Sequence, residues 1–141
     1  MRVILGLDVG SKVIGVARML PDTGVAVALW PLKRAGVRRD VEALGRRVQA
    51  GGFEVIAVVV GLPLDEDGAE QRSTRLARQV AEALDAAWPC AVHMQDETYS
   101  TLEAEHRLRA RGIAQRKWGP LVDAEAAAVI LEDWSSAQPE G

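Results

Sequence analysis

Three strand-like runs stand at the start of the chain, and the links between them are too short for a crossover. The runs cover residues 3–8, 13–19 and 25–30. A Gly-Ser-Lys link separates the first two, and a Pro-Asp-Thr-Gly turn separates the next two. Because a parallel pair needs a connection of about a dozen residues or more, these strands are expected to pair antiparallel.

Helix and strand patterns alternate along the rest of the chain. Apolar residues at helical spacing precede a stop at Gly51-Gly52, and the β-branched run at 55–60 predicts a strand buried on both faces. The remaining predicted elements are a helix at 70–87, a strand at 90–94, a helix from Ser100 (the start of a capping box) to about Arg111, a loop at 112–120 and a helix at 121–134. The order βββαβαβαα predicts an α/β protein. Its mixed five-stranded sheet should have three antiparallel strands, then parallel ones, with helices on both faces.

Composition narrows the class of protein. With 141 residues, 48% of them hydrophobic, the chain can bury one core, so residues 1–134 should form a single domain and residues 135–141 a flexible tail. No run approaches the roughly 20 apolar residues of a membrane helix. A lone Cys90 excludes an internal disulfide, and two histidines lack a third soft ligand. We therefore expect a soluble, cytoplasmic domain.

Charge argues at first against nucleic acid. The chain has 17 Lys and Arg against 20 Asp and Glu, a formal net charge of −3. Affinity for phosphate usually accompanies a basic surplus. The distribution of the charges matters more than their sum, since both signs are clustered.

Acidic residues fall where element boundaries should bring them to one edge of the sheet. Asp8 closes the first strand, Asp96-Glu97 follow the fifth, and Asp123 lies near the apolar stripe of the last helix, whereas Glu125 falls off that stripe and should be solvated. In such sheets the site lies outside the carboxyl ends of the strands. Each position also has a structural explanation, as a hairpin aspartate, as helix-start acidity or as an N-cap.

Together these acids predict a metal site. Converging oxygen ligands with no Cys or His suit a hard cation, Mg²⁺ or Mn²⁺. Mutual repulsion would disfavour the cluster without a cation. Such ions can activate water and stabilise the leaving oxygen in phosphodiester cleavage.

Basic residues cluster on two helices and on the glycine-containing connection near residue 112. The candidate phosphate contacts are Arg72, Arg75 and Arg78, then Arg107, Arg109, Arg111, Arg116 and Lys117. Arginine binds phosphate in a bidentate manner. Solvated arginines paired with Glu are the commoner explanation for any one group. Trp118 could stack on a base, although a packing role is the commoner one.

Four blocks of residues, in this order, carry a family resemblance. They are Leu7-Asp8-Val9-Gly10-Ser11-Lys12 with Ile14-Gly15-Val16-Ala17; Val60-Gly61-Leu62-Pro63-Leu64 with Asp67-Gly68; Asp96-Glu97 with Ser100-Thr101-Leu102-Glu103-Ala104; and Val122-Asp123 with Ala126-Ala127-Ala128-Val129-Ile130-Leu131. The chain resembles the YqgF/RuvX family, the Holliday-junction resolvase-like nucleases of bacterial ribosomal-RNA precursors. The ordered set is specific, whereas each block alone would be weak.

The resemblance implies a ribonuclease H-like fold with Asp8, Glu97 and Asp123 as catalytic, metal-binding acids. Lys12 would contact phosphate beside Asp8. Val13 and Thr98 stand where the family carries arginine, which removes positive charge near the site. Ala126 stands where the related RuvC resolvases have a further aspartate, as is usual in the YqgF/RuvX family.

The leading hypothesis is a metal-dependent nuclease that processes the 5′ end of the 16S ribosomal-RNA precursor. The alternative substrate is branched DNA, as for a Holliday-junction resolvase. A phosphotransferase of the actin and sugar-kinase type shares the Asp-x-Gly turn but needs two such domains. A catalytically weak nucleic-acid-binding module is the third class. We expect the chain to bind structured RNA or branched DNA and not to associate with a membrane. A homodimer or a ribosome-associated partner is compatible with this.

Overall fold

The computed structural model describes residues 1–63, 72–97 and 100–138. The strands are β1 (Arg2–Val9), β2 (Val13–Met19), β3 (Ala26–Lys33), β4 (Glu54–Pro63) and β5 (Ala91–Glu97). The helices are α1 (Val37–Ala50), α2 (Arg72–Ala87), α3 (Ser100–Ala110) and α4 (Leu121–Ala137), with a 3₁₀ turn at Gln115–Lys117. The motif residues Leu64 and Asp67-Gly68, the start of the second predicted helix at 70–71, and Thr98 lie outside the described residues.

The sheet has the predicted mixed topology. Its five strands follow the order β3-β2-β1-β4-β5. β1 pairs antiparallel with β2, and β2 with β3, whereas β4 runs parallel to both β1 and β5. The three short-linked strands are thus antiparallel, and the crossovers through helices give the parallel pairs.

Helices cover both faces of this sheet, as the element order predicts. α1 and α2 pack on one face over the side chains of Leu5, Leu7 and Val58. α4 packs on the other face over Ile4 and Val59, and α3 packs against α4. Among the described residues, no helix combines the length and the apolar character needed to cross a membrane.

Alternation along β1 decides which face receives Asp8. Leu5, Leu7 and Val9 belong to the cluster under α1 and α2, whereas Ile4 belongs to the cluster under α4. Successive side chains of a strand point to opposite faces, so Asp8 lies on the α4 face with Ile4. The carboxylate at the end of the buried strand therefore faces α4.

Two glycines allow α4 to lie directly on the sheet. A Cβ atom at Gly6 would lie 2.4 Å from the Leu131 Cγ atom. One at Gly15 would lie 1.9 Å from the Asp123 carbonyl oxygen, so the first turn of α4 touches the backbone of β2. Since Gly15 pairs with Asp8 across the β1–β2 ladder, this contact brings Asp123 to the end of β1.

Several element ends differ from the sequence prediction. β3 continues through Pro31 to Lys33, which an edge strand permits because its outer N–H groups need no partner. β5 runs on through Asp96-Glu97, because it continues to pair with β4 as far as Pro63. α4 extends three residues beyond Trp134, to Ala137. Residues 135–137 are therefore helical, and residues 139–141 lie outside the described part.

The contact at Gly15 generates a test of the fold. Gly15→Ala is expected to lower the free energy of unfolding by about 2 kcal/mol or more, because α4 must move away from β2. Gly45→Ala is the control. Gly45 lies inside α1, and a Cβ atom there would lie 3.9 Å from the nearest atom of Trp88, which is an ordinary contact distance. That substitution should stabilise the protein by about 0.5–1 kcal/mol. Urea unfolding measures both, and equal effects would contradict the close approach of α4.

Candidate active site

Asp8, Glu97 and Asp123 lie at one end of the sheet, where the carboxyl ends of β1 and β5 face the first turn of α4. Asp8 is the last residue but one of β1, and Asp123 lies over Gly15, which pairs with Asp8 in the β1–β2 ladder. Glu97 ends β5, and its Oε2 atom lies over Gly61, where a Cβ would approach to 2.5 Å. The structure therefore brings together the three acids that the sequence predicts.

Glu97 has one satisfied oxygen and one that is not. Its Oε1 atom accepts a hydrogen bond from the buried Ser100 hydroxyl. Its Oε2 atom is buried and has no hydrogen-bond donor among the described residues. Among the described residues, a protonated Asp8 would supply Glu97 with a donor besides Ser100. Such an unsatisfied buried carboxylate oxygen is costly unless a proton or a cation reaches it.

The electrostatics of the three acids follow from their burial together. Burial raises the pKa of Asp8 well above its usual value, and the negative charges of Glu97 and Asp123 raise it further. Burial also raises the pKa of Glu97, against the Ser100 hydrogen bond, which lowers it. The pKa of Asp123 is raised by burial as well. Ionising all three groups without a cation is therefore unfavourable.

The donor set fits a hard divalent cation, although the ligands are not closed into a cage. Asp8 and Glu97 are in contact, whereas Asp123 acts on Asp8 through its charge. Within residues 1–63, 72–97 and 100–138, no group of three or more His, Cys, Asp or Glu side chains is already arranged to hold a metal ion. An all-oxygen set with an unsatisfied buried oxygen suits a hard divalent cation rather than a soft one.

A cleft opens beside Asp123. It has a volume of about 360 Å³ and is lined by Gly10, Lys12 and Val13 of the β1–β2 hairpin together with Pro120 and Asp123 of the α4 start. Lys12 is exposed at the tip of the hairpin. The cleft therefore has the Lys12 ammonium group on one wall and the Asp123 carboxylate on the other, and Lys12 could neutralise the charge of a phosphate group there.

The three predicted basic residues on α2 lie in different settings along the helix. Arg72, at the start of the helix, lines a neighbouring cleft of about 320 Å³ with Ser11 of the same hairpin. Arg75 is exposed on the next turn. Arg78 lies further along, at a hollow that Glu82 and Asp85 also line. Arg72 is thus the α2 arginine nearest to the hairpin.

The basic residues of α3 are partly engaged in ion pairs. Arg107 Nη2 lies 2.6 Å from Glu132 Oε2 on α4. Arg111 forms a bidentate pair with Glu125, at 2.5 and 3.2 Å. The prediction that Glu125 is solvated is wrong, because α3 covers that side of α4 and leaves Glu125 only 4% exposed. These pairs join α3 to α4.

The connection between α3 and α4 presents the other predicted cations. Arg116 and Lys117 are exposed on the 3₁₀ turn. Trp118 is buried, and its indole N–H donates to the Ile113 carbonyl oxygen at 2.9 Å. The Arg109 guanidinium lies 5.3 Å from the centre of the Trp118 ring. Trp118 therefore packs within the connection and is not presented as a surface for bases.

Sequence reasoning missed the residues that shape the pocket around Glu97. Ser100 is the first residue of α3 rather than its N-cap, and its hydroxyl is turned to Glu97. Gly61 leaves the space that the Glu97 carboxylate occupies. A glycine inside a continuous β-branched strand was the available signal, because it marks a close approach by another group. Asp96, the other candidate of its pair, is exposed.

Comparison with known proteins finds one family model and many relatives that match nearly the whole chain. The family model RuvX, described as Holliday junction resolvase, matches residues 2–136. A protein of Anaeromyxobacter dehalogenans (strain 2CP-C), named "Putative pre-16S rRNA nuclease", is 45% identical over 130 residues, covering 92% of this chain and 93% of that one. A protein of Pectobacterium atrosepticum with the same name is 38% identical over 137 residues, covering 97% of each chain.

Solved structures show the same fold at low sequence identity. RuvC of Thermus thermophilus, in complex with a Holliday junction, matches with a TM-score of 0.54 at 18% identity, covering 97% of this chain and 98% of that one. The fowlpox virus resolvase, in complex with Holliday junction DNA, matches with a TM-score of 0.56 at 10% identity, covering 96% and 99%. The ribonuclease H-like fold that the resemblance implies is thereby confirmed.

The buried acids generate a prediction about stability in the absence of metal. The raised pKa values mean that the folded protein binds more protons than the unfolded chain, so its stability falls as the pH rises from the ordinary carboxyl range through the raised values. Asp8→Asn removes this repulsion and gives Glu97 an amide donor. It should raise the free energy of unfolding near pH 7 by about 0.5–2 kcal/mol.

Urea unfolding with a chelator, from about pH 5 to about pH 8, measures the effect. Asp22→Asn, in the exposed turn before β3, is the control and should change little. A loss of stability in Asp8→Asn at every pH, or an equal gain in Asp22→Asn, would contradict the repulsion.

Proposed function

The chain belongs to the RuvX family, and from that premise we propose that it hydrolyses phosphodiester bonds in structured nucleic acid with a divalent cation. The observation that carries the proposal is the buried contact between Asp8 and Glu97, in which Glu97 Oε2 has no donor among the described residues. A protein keeps such a repulsive pair at a cost in stability, which is typical of a functional site.

Each residue of the site has a role in this reaction. Asp8, Glu97 and Asp123 would hold Mg²⁺ or Mn²⁺, and such a cation lowers the pKa of water and offsets charge on the phosphate. Ser100 orients Glu97 through its hydroxyl. Lys12, across the cleft from Asp123, would neutralise a substrate phosphate. Water adds to phosphorus and gives up a proton, the P–O bond to the leaving sugar oxygen breaks, and that oxygen takes up a proton.

We propose the precursor of 16S ribosomal RNA as the substrate, with cleavage at its 5′ end in the cytoplasm. The support is the name carried by relatives that are 38–45% identical along nearly the whole chain. The solved neighbours, at 10–18% identity, support the fold alone. A structured RNA would be recognised by shape and backbone contacts, which a basic cleft edge can supply.

Resolution of branched DNA is the second candidate, favoured by the description of the matching family model. Its test runs in parallel: a labelled 16S precursor fragment and a four-way DNA junction are incubated with the same protein and Mn²⁺. We expect faster cleavage of the RNA. Preferential, symmetric cutting of the junction would favour the second candidate, and metal-independent binding without cleavage of either would favour the binding module.

The acid assignment is tested by single substitutions. Asp8→Asn, Glu97→Gln and Asp123→Asn should each lower Mn²⁺-supported cleavage by about a hundredfold or more, because each removes a charged ligand. Asp96→Asn is the matched control, since this neighbour of Glu97 is exposed, and it should stay within about twofold of the wild type. Calorimetric titration with Mn²⁺ should show weakened binding in the same three variants. Unchanged cleavage in Asp8→Asn and Glu97→Gln would contradict the assignment.

The basic surface is tested by the salt dependence of binding. Arg75 is exposed and forms no ion pair within the described part of the chain, so Arg75→Ala should weaken RNA binding and reduce the slope of log K against log salt by about one. Arg111→Ala is the contrast, because Arg111 pairs with the buried Glu125. It should leave that slope unchanged and lower the free energy of unfolding by about 1–3 kcal/mol. Identical slopes for wild type and Arg75→Ala would remove Arg75 from the interface.

A further inference from the structure

A buried ion pair lies directly behind the hairpin that carries Lys12. Arg34, just after β3, and Asp40, in the first turn of α1, are joined by an Nε–Oδ2 contact of 2.8 Å, with side chains only 10% and 2% exposed. The second Asp40 oxygen, Oδ1, accepts a hydrogen bond from the Ala35 backbone N–H at 2.8 Å. The Asp40 carboxylate is therefore satisfied on both oxygens, and it fixes both the position and the orientation of the guanidinium.

Arg34 passes this constraint on to the hairpin between β1 and β2. Its Nη1 atom donates to the Gly10 carbonyl oxygen at 3.1 Å. Its backbone N–H donates to the Lys12 carbonyl oxygen at 2.9 Å. The hairpin is closed from within by the Gly10 N–H, which donates to the Val13 carbonyl oxygen at 2.9 Å. Gly10 and Lys12 are thus held by Arg34, and Gly10 is also bonded to Val13 within the hairpin.

Stability alone does not explain a pair of this kind. Taking two charges out of water costs free energy that their attraction offsets only with good geometry and further hydrogen bonds, and an apolar pair often serves as well. What an apolar pair could not supply is a donor for the Gly10 carbonyl oxygen. The fork of the guanidinium, which binds Asp40 with one nitrogen and Gly10 with another, is suited to fixing a turn.

We propose that Arg34 is a positioning residue of the active site, which acts through the hairpin at 10–13 and sets the place of Lys12 and of the cleft wall opposite Asp123. The proposal rests on the proposed nuclease function, since it assigns Arg34 to that same site. The hairpin tip borders both clefts, the one with Asp123 and the one with Arg72. A shift of the tip would therefore disturb phosphate binding on both sides, and misplacement by about 1 Å can cost up to a hundredfold in rate.

Three variants of the full chain test the proposal. Asp40→Asn leaves the guanidinium without its carboxylate, and Arg34→Lys keeps the charge but cannot reach Asp40 and Gly10 with a fork. Glu42→Gln is the matched control, because it removes a carboxylate two residues from Asp40. Within the part of the chain that the structure describes, Glu42 pairs with Arg38 at the surface, where the two side chains are 56% and 94% exposed. Amide hydrogen exchange over residues 8–16 reports on the hairpin whether or not the protein cleaves anything.

We expect exchange in the hairpin to rise about tenfold in Asp40→Asn and Arg34→Lys, and KM for the RNA to rise about tenfold with a smaller change in kcat. Glu42→Gln should match the wild type in both. Because Arg34 acts through Lys12, the effects of Arg34→Lys and Lys12→Ala on KM should combine to less than their product.

Hairpin exchange equal to that of Glu42→Gln in both variants would overturn the proposal. So would KM effects that multiply with Lys12→Ala, or losses that follow global stability alone. A wild type that cleaves no substrate would instead overturn the proposed function, and the exchange result together with anisotropy-measured RNA binding would still decide whether Arg34 positions the tip. Arg34→Lys keeps the test open if Asp40→Asn does not fold.

Discussion

The repulsion between buried carboxylates is the constraint on which this structure depends. Asp8 and Glu97 lie at the carboxyl ends of two strands of the same sheet and on the face covered by α4, where they contact each other and are only partly exposed to water. Burial raises the pKa of both, and Asp123 adds a third negative charge beside Asp8. A fold that keeps this arrangement must hold it with packing elsewhere, and it gains from it a strong preference for a cation at one point.

The packing that holds the acids together comes from small residues. α4 reaches the sheet because Gly6 and Gly15 leave room for its backbone and for Leu131. On the helix side, Ala127 and Ala128 lie in the cluster that faces β1 and β4. A helix that lies this close to a strand has almost no freedom to slide. Any shift would bring larger side chains of the helix or the sheet to the contact, where there is room only for glycine and alanine. The position of Asp123 relative to Asp8 is therefore set by backbone contact.

Much of the fold could be predicted from the sequence, because link lengths and periodicity determine strand direction. The short links ahead of β2 and β3 allow only antiparallel pairing, and the buried run of β4 requires partners on both sides. Asp8 could be placed by its position at the end of the first strand, and Asp123 by its position near the apolar stripe of the last helix. The environment of Glu97 could not, because it depends on Gly61 and Ser100, which meet it only after β5 and α3 are assembled. Glu125 was misjudged for the same reason, since the covering helix α3 is not visible in the period of α4.

The net charge of −3 also takes its meaning from the assembled structure. Arg107 and Arg111 form ion pairs with Glu132 and Glu125, so these two cations stabilise the packing of α3 against α4. The exposed cations that remain near the site lie on the hairpin tip, at the start of α2 and on the 3₁₀ turn before α4. A few separated cations give an attraction to phosphate that salt readily screens. Selection among substrates must then come from which backbone can pass over the hairpin and bring a phosphate to the acids. For that reason the rigidity of the hairpin, which Arg34 and Asp40 control, matters more here than the number of basic residues.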